Sequence, residues 1–383
     1  MTERKLELAD IFRSLDASFL DSLPVAQHRV VEDILACRTA ALGGHLNQCD
    51  QCGYQQIAYN SCHNRHCSKC QAAARAEWMQ ERADELLPVE YFHVVFTLPQ
   101  QLSALALQNK RIIYGLLFRA TSETLLEIAD DPQHLGARIG FFCVLHTWGQ
   151  TLQPHPHMHC VVPGGGLSAD NTQWIACRPG FFLPVKVLSR LFRGKFIAYL
   201  SKAHEDNQLT YAGQLSHLAE GDQFNSWLRE LWQVEWVVYA KPPFGGPPQV
   251  LKYLARYTHR VAISNGRLLE LNDGRVTFSY KDYAAGNEIK TMTLETQEFA
   301  RRFLLHVLPR GFVRMRYYGF LANRQRAEKL ELCRRLLSTQ QRAAAQTICP
   351  NCGQGKMIII EKISAEKCLD MNLVFPVPAA NTS

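Results

Sequence analysis

The run His155-Pro156-His157-Met158-His159 sets imidazoles at alternate positions. Residues two apart on an extended strand share a face, so His157 and His159 present their rings side by side while Met158 turns the other way, into the core. Such a pair holds an ion only with at least one further ligand. His146, near the end of the preceding strand candidate, would face the two rings across an antiparallel pair; His155 and Gln150 are the alternatives. A divalent ion held there would act as a Lewis acid.

A second chemical grouping follows Pro247 and Pro248, which mark a helix start because proline is tolerated in the first helical turn. From Gln249 to Arg260, Leu251, Leu254, Ala255 and Thr258 fall on one stripe at helical spacing. Tyr253, Arg256, Tyr257 and Arg260 fall on another, offset by roughly half a turn. The first stripe buries the helix. The second offers two phenols four residues apart, flanked by guanidiniums suited to clamping phosphate oxygens. A phenol with pKa near 10 is ionised in roughly one molecule in a thousand at neutral pH, so it serves as a nucleophile only with help.

Cysteine supplies a third cluster. Cys49-Asp50-Gln51-Cys52 and Cys67-Ser68-Lys69-Cys70 are Cys-x-x-Cys knuckles separated by fourteen residues, a spacing that lets four thiolates close a tetrahedron around one zinc ion. Cys37, His45, Cys62 and either His63 or His66 are further candidate ligands, enough for two ions, and the spacing leaves the pairing open. A closed cysteine-rich site is structural rather than catalytic, since no position remains for substrate. Cys349-Pro350-Asn351-Cys352 is a third knuckle, but with only Cys368 downstream as a partner it falls short of a closed site.

Of the 383 residues, 47% are hydrophobic and 20% charged, an ordinary folded composition with material for two or three domains. Met1 to Ser14 lacks an apolar core of signal-peptide length, and no apolar run approaches the roughly 18 residues of a membrane span. A soluble cytoplasmic protein with no membrane partner is therefore expected, and in that reducing compartment the thirteen cysteines read as metal ligands rather than disulfides. The formal charge of +7 is modest, but its distribution is not even: between Arg301 and Arg342 stand eleven Lys or Arg, including Arg301, Arg302, Arg314 and Arg316, against two acids. Phe303, Phe312, Tyr317, Tyr318 and Phe320 are interleaved with them. Basic and aromatic side chains together suit the backbone and bases of a nucleic acid, although a solvated helix face would carry the same charge bias.

These residues require a frame. Leu23 to Cys37 reads as an amphipathic helix, whereas Leu42 to Gln71 has little hydrophobic periodicity, as in a small domain where metal replaces a core. Ala72 to Leu87 returns to helical composition and ends at Pro88, a boundary candidate. Tyr91 to Leu98 is a strand by its aromatic and β-branched content, Leu102 to Ile128 a helix, and Ile139 to Thr147 and His157 to Val162 two further strands. Trp236 to Tyr239 is another. Arg267 to Leu271 and Arg275 to Tyr280 flank an Asn272-Asp273-Gly274 turn and form a hairpin. The expected fold class is α+β: a central antiparallel sheet flanked by helices, preceded by a small zinc-binding domain. The divisions are 1–88, 89–345 with the basic region at its end, and 346–383.

Taken in order, the segments YNSCHNRHCSKC, FHVVFTLP, LHTWGQTLQPHPHMHCVVPGGG, YLARYTHR and FLLHVLPRGFVRMRYYGFLA resemble the HUH endonucleases (histidine, bulky hydrophobe, histidine). Specifically, they resemble the rolling-circle transposases of the insertion-sequence-ninety-one family. The resemblance spans nearly the whole chain. It implies a catalytic sheet carrying the histidines and a helix carrying nucleophilic tyrosines, with Mg2+ or Mn2+ on His157, His159 and a third ligand, for which hairpin geometry favours His146. It further implies attack by Tyr253 and Tyr257, a covalent 5′-phosphotyrosine, and single-stranded or locally melted DNA at transposon ends and target as partner, with host replication machinery a further one; oligomeric state is left open. A plasmid replication initiator or conjugative relaxase would use the same site. A non-enzymatic zinc-finger regulator would share the cysteines and basic residues but have no use for aligned histidines and tyrosines.

Overall fold

The structure, a computed structural model, describes residues 5–83, 85–241, 261–283 and 285–345. Three helices open the chain, α1 (Leu8–Arg13), α2 (Ala17–Asp21) and α3 (Val25–Ala36). α3 buries Val30, Val31 and Ile34, the i, i+1, i+4 stripe of an amphipathic helix. A hairpin follows, β1 (Gly44–Gln48) and β2 (Gln55–Tyr59). Every residue of both strands is exposed, which is the physical counterpart of their missing periodicity: neither strand has an apolar face to bury. α4 (Ser68–Ala83) leads from it to the main sheet.

β3 (Tyr91–Thr97) is connected through α5 (Ser103–Gln108) and α6 (Lys110–Asp130) to β4 (Gly140–Trp148), which turns back into β5 (Pro154–Pro163). The single helix expected over Leu102 to Ile128 is broken at Asn109, with φ −119 and ψ 42. There the side chain donates to the carbonyls of Leu105 and Thr210 and accepts from the Thr210 amide. β6 (Gly165–Leu167), β7 (Trp174–Ala176), α7 (Val185–Glu205), α8 (Gly221–Gln233) and β8 (Val238–Lys241) come next. A three-stranded meander follows, β9 (Leu268–Asn272), β10 (Arg275–Asp282) and β11 (Glu288–Glu295), then α9 (Thr296–Leu304), β12 (Met315–Gly319) and α10 (Arg326–Ala345). The chain divides into two compact units after Cys333.

The central sheet runs β12-β4-β5-β3-β8, all neighbours antiparallel. Strand alternation sends Phe92, Val94, Phe96, Leu145, Met158 and Val162 to one face, where they join residues of α6 and α7 in the largest buried cluster. Met158 is fully buried, so truncating it to alanine costs about 2–5 kcal/mol. The opposite face carries the histidines. Gly319 ends β12 at φ +58, and a Cβ there would stand 1.8 Å from the Ile139 carbonyl oxygen; only glycine lets β12 close against β4.

A second core joins distant parts of the chain. Leu8, Phe12, Ile34, Cys37, Cys67 and Cys70 share it with Trp148, Leu152, Phe278, Phe299 and Phe303. Phe12 meets Phe303 edge-on at 5.7 Å, and Phe278 meets Phe299 at 5.6 Å. The turn between β9 and β10 has Asp273 at φ 45 and Gly274 at φ 72, the two positive values of a type I′ hairpin. No helix among the described residues is long and apolar enough to cross a membrane.

Candidate active site and zinc cluster

The β4–β5 register sets His146 directly opposite His157 and Val144 opposite His159. His146 and His159 are buried and His157 is half-buried. One ring nitrogen from each lies within 4.8 Å of the others, with ring centroids 4.3 Å apart for His146 and His159 and 4.7 Å for His157 and His159. The His155 imidazole, one alternative for the third ligand, has its ring centroid 5.1 Å from that of His157 and is not among the three converging rings. His155 contributes its carbonyl, which accepts from His157 Nδ1 at 2.6 Å, and Gln150 Nε2 donates to the Tyr283 hydroxyl at 3.1 Å. A carbonyl can only accept, so Nδ1 of His157 carries the proton and Nε2 the lone pair, the tautomer a metal ligand needs.

Sequence reasoning missed His93. β3 lies beside β5 with Val95 opposite His159 and His93 opposite Val161, so His93 shares the histidine face. Its Nε2 is 2.7 Å from His159 Nδ1, and the two rings stack at 4.9 Å. Burial first, and the nearby Lys241 ammonium second, push His93 down to about 4, so the His93 ring is neutral at pH 7, and the contact between the two nitrogens holds one proton. The alternation of FHVVFTLP was the available signal, but the register between β3 and β5 was not.

These rings floor a cleft of about 770 Å3, bordered by β8 through Tyr239 and Lys241, by the end of β10 through Tyr280 and Lys281, and by the β10–β11 turn through Tyr283. Tyr253, Tyr257, Arg256 and Arg260 fall at 242–260, outside the described residues.

Four thiols converge at a separate place. Cys37 at the end of α3, Cys62, and Cys67 and Cys70 at the start of α4 have Sγ atoms 3.6 Å apart for the pairs 37–70, 62–70 and 37–67. Thiolates on one zinc at about 2.3 Å span tetrahedral edges of about 3.8 Å, so the set fits a closed structural zinc site. Cys67 is lowered to about 5, chiefly by the Cys62 thiol and then by the Cys70 and Lys69 amides. Burial raises Cys37 to about 11; a bound cation would reverse that cost. Of the candidate ligands, Cys49 and Cys52 occupy the exposed tip between β1 and β2 and stand apart from this set. The quartet Cys49, Cys52, Cys67 and Cys70 is thus not assembled; Cys37 and Cys62 take the two places instead, because the hairpin carries the first knuckle away from α4. His45 lies exposed on β1. His66 is held neutral, at about 3, by burial and then by Arg65 and Arg314. Cys349 and Cys352 lie outside the described residues.

The four basic candidates each have a partner within the fold. Arg301 and Arg302 both bind Glu298 at 2.6 Å, and Arg302 also donates to the Thr151 carbonyl. Arg314 donates to Gln71, and Arg316 lies 4.0 Å over the Phe118 ring. None of the four borders the histidine cleft.

With this geometry, the similarity to known proteins is specific. Residues 140–329 match a family model described as "Putative transposase", and residues 9–98 one described as "Transposase zinc-binding domain". "Putative transposase y4qJ" of Sinorhizobium fredii is 56% identical over 377 residues, covering 93% of this chain and 95% of that protein. "Transposase for insertion sequence element IS801" of Pseudomonas savastanoi pv. phaseolicola is 29% identical over 77% of this chain and 70% of its own length. A solved complex of TrwC with a 27-mer DNA aligns at 17% identity over 64% of this chain and 73% of that one, with a TM-score of 0.23, too loose a superposition to bear on the site. The chain belongs to the insertion-sequence-ninety-one family of transposases, enzymes of DNA strand transfer, and carries that family's zinc-binding domain at its N-terminus.

Proposed function

We propose that this transposase is a two-tyrosine HUH endonuclease that nicks and rejoins single-stranded or locally melted DNA at element ends and target, in rolling-circle transposition. The observation that carries the reading is the convergence of His146, His157 and His159 on one face of the central sheet, at the floor of an open cleft. Three imidazoles, with the tautomer of His157 fixed by a backbone carbonyl, suit a divalent ion. Mg2+ or Mn2+ held there would polarise a non-bridging oxygen of the scissile phosphate.

The phenol oxygen of Tyr253 or Tyr257, having lost its proton, attacks phosphorus. The bond to the 3′ oxygen breaks, and that oxygen takes up a proton to leave as a 3′ hydroxyl, with the 5′ phosphate esterified to tyrosine. Arg256 and Arg260 sit beside the nucleophiles in sequence and would hold phosphate oxygens. Because the phosphotyrosine conserves the broken linkage, a later 3′ hydroxyl restores DNA without ATP, and the second tyrosine permits another cleavage before the first is resolved.

A labelled single-stranded oligonucleotide carrying the element end tests this directly. The parent forms a covalent protein–DNA adduct. Replacing both residues, Tyr253→Phe and Tyr257→Phe, eliminates it, whereas each single replacement retains some cleavage and loses completed transposition. Phenylalanine keeps the ring, so lost packing does not explain such a result. An adduct that survives in the double variant overturns the assignment.

A further inference from the structure

The borders of the histidine cleft repeat one chemical pattern. On β8, Tyr239 is 49% exposed, with Lys241 Nζ 5.8 Å from its ring centroid. On the β10–β11 turn, Tyr283 is 63% exposed, with Lys281 Nζ 5.7 Å from its ring centroid. Large aromatic rings left in water lose hydrophobic stabilisation and are ordinarily covered. Here both stand at the rim of the same cleft, each beside an ammonium. They lie at different sides of it: β8 is the sheet edge beyond β3, whereas Tyr283 is tied to the β4–β5 connection through its hydroxyl, which accepts from Gln150 Nε2. Asp282 is the one acid among the described residues bordering the cleft, and Lys290 pairs with it at 2.7 Å. The rim is therefore cationic and aromatic, the combination that tracks a single strand by charge and holds its bases by stacking.

Resting on the endonuclease reading above, we propose that Tyr239 and Tyr283 stack on nucleobases at two points of one DNA strand, with Lys241 and Lys281 against the adjoining phosphates. The strand is thereby laid across His146, His157 and His159. Stacking on a ring face does not distinguish among bases, so these contacts supply grip and register rather than recognition of the end sequence.

Binding without cleavage isolates the inference. Fluorescence anisotropy with a labelled twenty-nucleotide oligothymidylate, with no Mg2+ or Mn2+ added and the structural zinc retained, measures affinity independently of the catalytic ion; a strand of equal length made of abasic sugar phosphate is the control. Tyr239→Ala and Tyr283→Ala should each weaken binding of the thymidine strand about ten-fold and leave binding of the abasic strand within about two-fold. Tyr239→Phe and Tyr283→Phe, which keep the ring, should bind both strands as the parent does. Alanine variants that bind oligothymidylate like the parent, or that lose affinity equally for both strands, would refute the stacking role. Failure of the endonuclease reading shows elsewhere, as an adduct that persists without Tyr253 and Tyr257, and leaves this binding difference intact.

Discussion

The proton shared by His93 and His159 decides which face of the His159 ring does chemistry. When it rests on His159 Nδ1, Nε2 carries the lone pair toward His146 and His157, and His93 holds that arrangement in place. Replacing His93 with phenylalanine keeps the packing but frees the tautomer. The Mn2+ concentration giving half-maximal cleavage should rise about 10- to 100-fold, and saturating Mn2+ should restore the rate. Rescue that fails at every concentration would make His93 more than a positioning residue. His157→Ala, by contrast, should abolish cleavage at any metal concentration while single-strand binding stays within a few-fold, the outcome expected of affinity drawn from phosphate and base contacts elsewhere. An all-nitrogen donor set also favours Mn2+ over Mg2+, so cleavage should saturate at lower Mn2+ than Mg2+. The facing pair of His157 and His159 was readable from alternation, and His146 from the short connection to β4. His93 was not, because its contact spans 66 residues of chain and depends on a register that local pattern does not set.

At the scale of elements, the cysteines show what spacing resolves and what it leaves open. The two knuckles were visible at once, but which thiols meet depends on where β1 and β2 carry Cys49 and Cys52. Cys37→Ser or Cys62→Ser should therefore lower bound zinc below about one per chain by elemental analysis. Cys49→Ser and Cys52→Ser should leave that site's zinc in place. Loss of this zinc from the Cys49 variant would mean the hairpin folds back onto α4. β11 escaped sequence reading for a different reason: its apolar residues change face, Ile289 on one side and Met292 and Leu294 on the other, so no period emerges. The basic stretch also receives cations from elsewhere in the chain. Lys110 donates to the Leu305 and Val307 carbonyls and Arg65 to those of Pro309 and Phe312, fixing the loop after α9. Arg301 first, then Arg302, hold Glu298 down to about 2. Because the folded value lies below the unfolded one, this stabilisation is complete above the unfolded value of about 4.5 and is lost as pH falls through about 2. The unfolding free energy of Glu298→Gln from denaturant titration should thus fall short of the parent's by about 1 kcal/mol at pH 7, allowing for solvent screening. The difference should hold to about pH 5 and narrow below it. A constant deficit down to pH 3 would point to packing instead.

Over the whole molecule, the region before Pro88 and the region after it share a core, which no reading of local composition reveals. Trp148 belongs to the same buried cluster as Cys37, Cys67 and Cys70 and also stacks on His146 at 4.8 Å. Heating should therefore unfold residues 1–333 in one calorimetric transition, and stripping zinc should move that whole transition down. Two transitions, with only the first sensitive to chelator, would show the zinc region melting by itself. The shared core bears on descent as well as on stability. A recombination event that joined this catalytic sheet to a foreign metal-binding segment would cut through the contacts of Phe12 with Phe303 and leave Trp148 against mismatched neighbours. The two halves of this gene are thus bound to be inherited together, and a lineage that changes one must change the buried surface of the other in step.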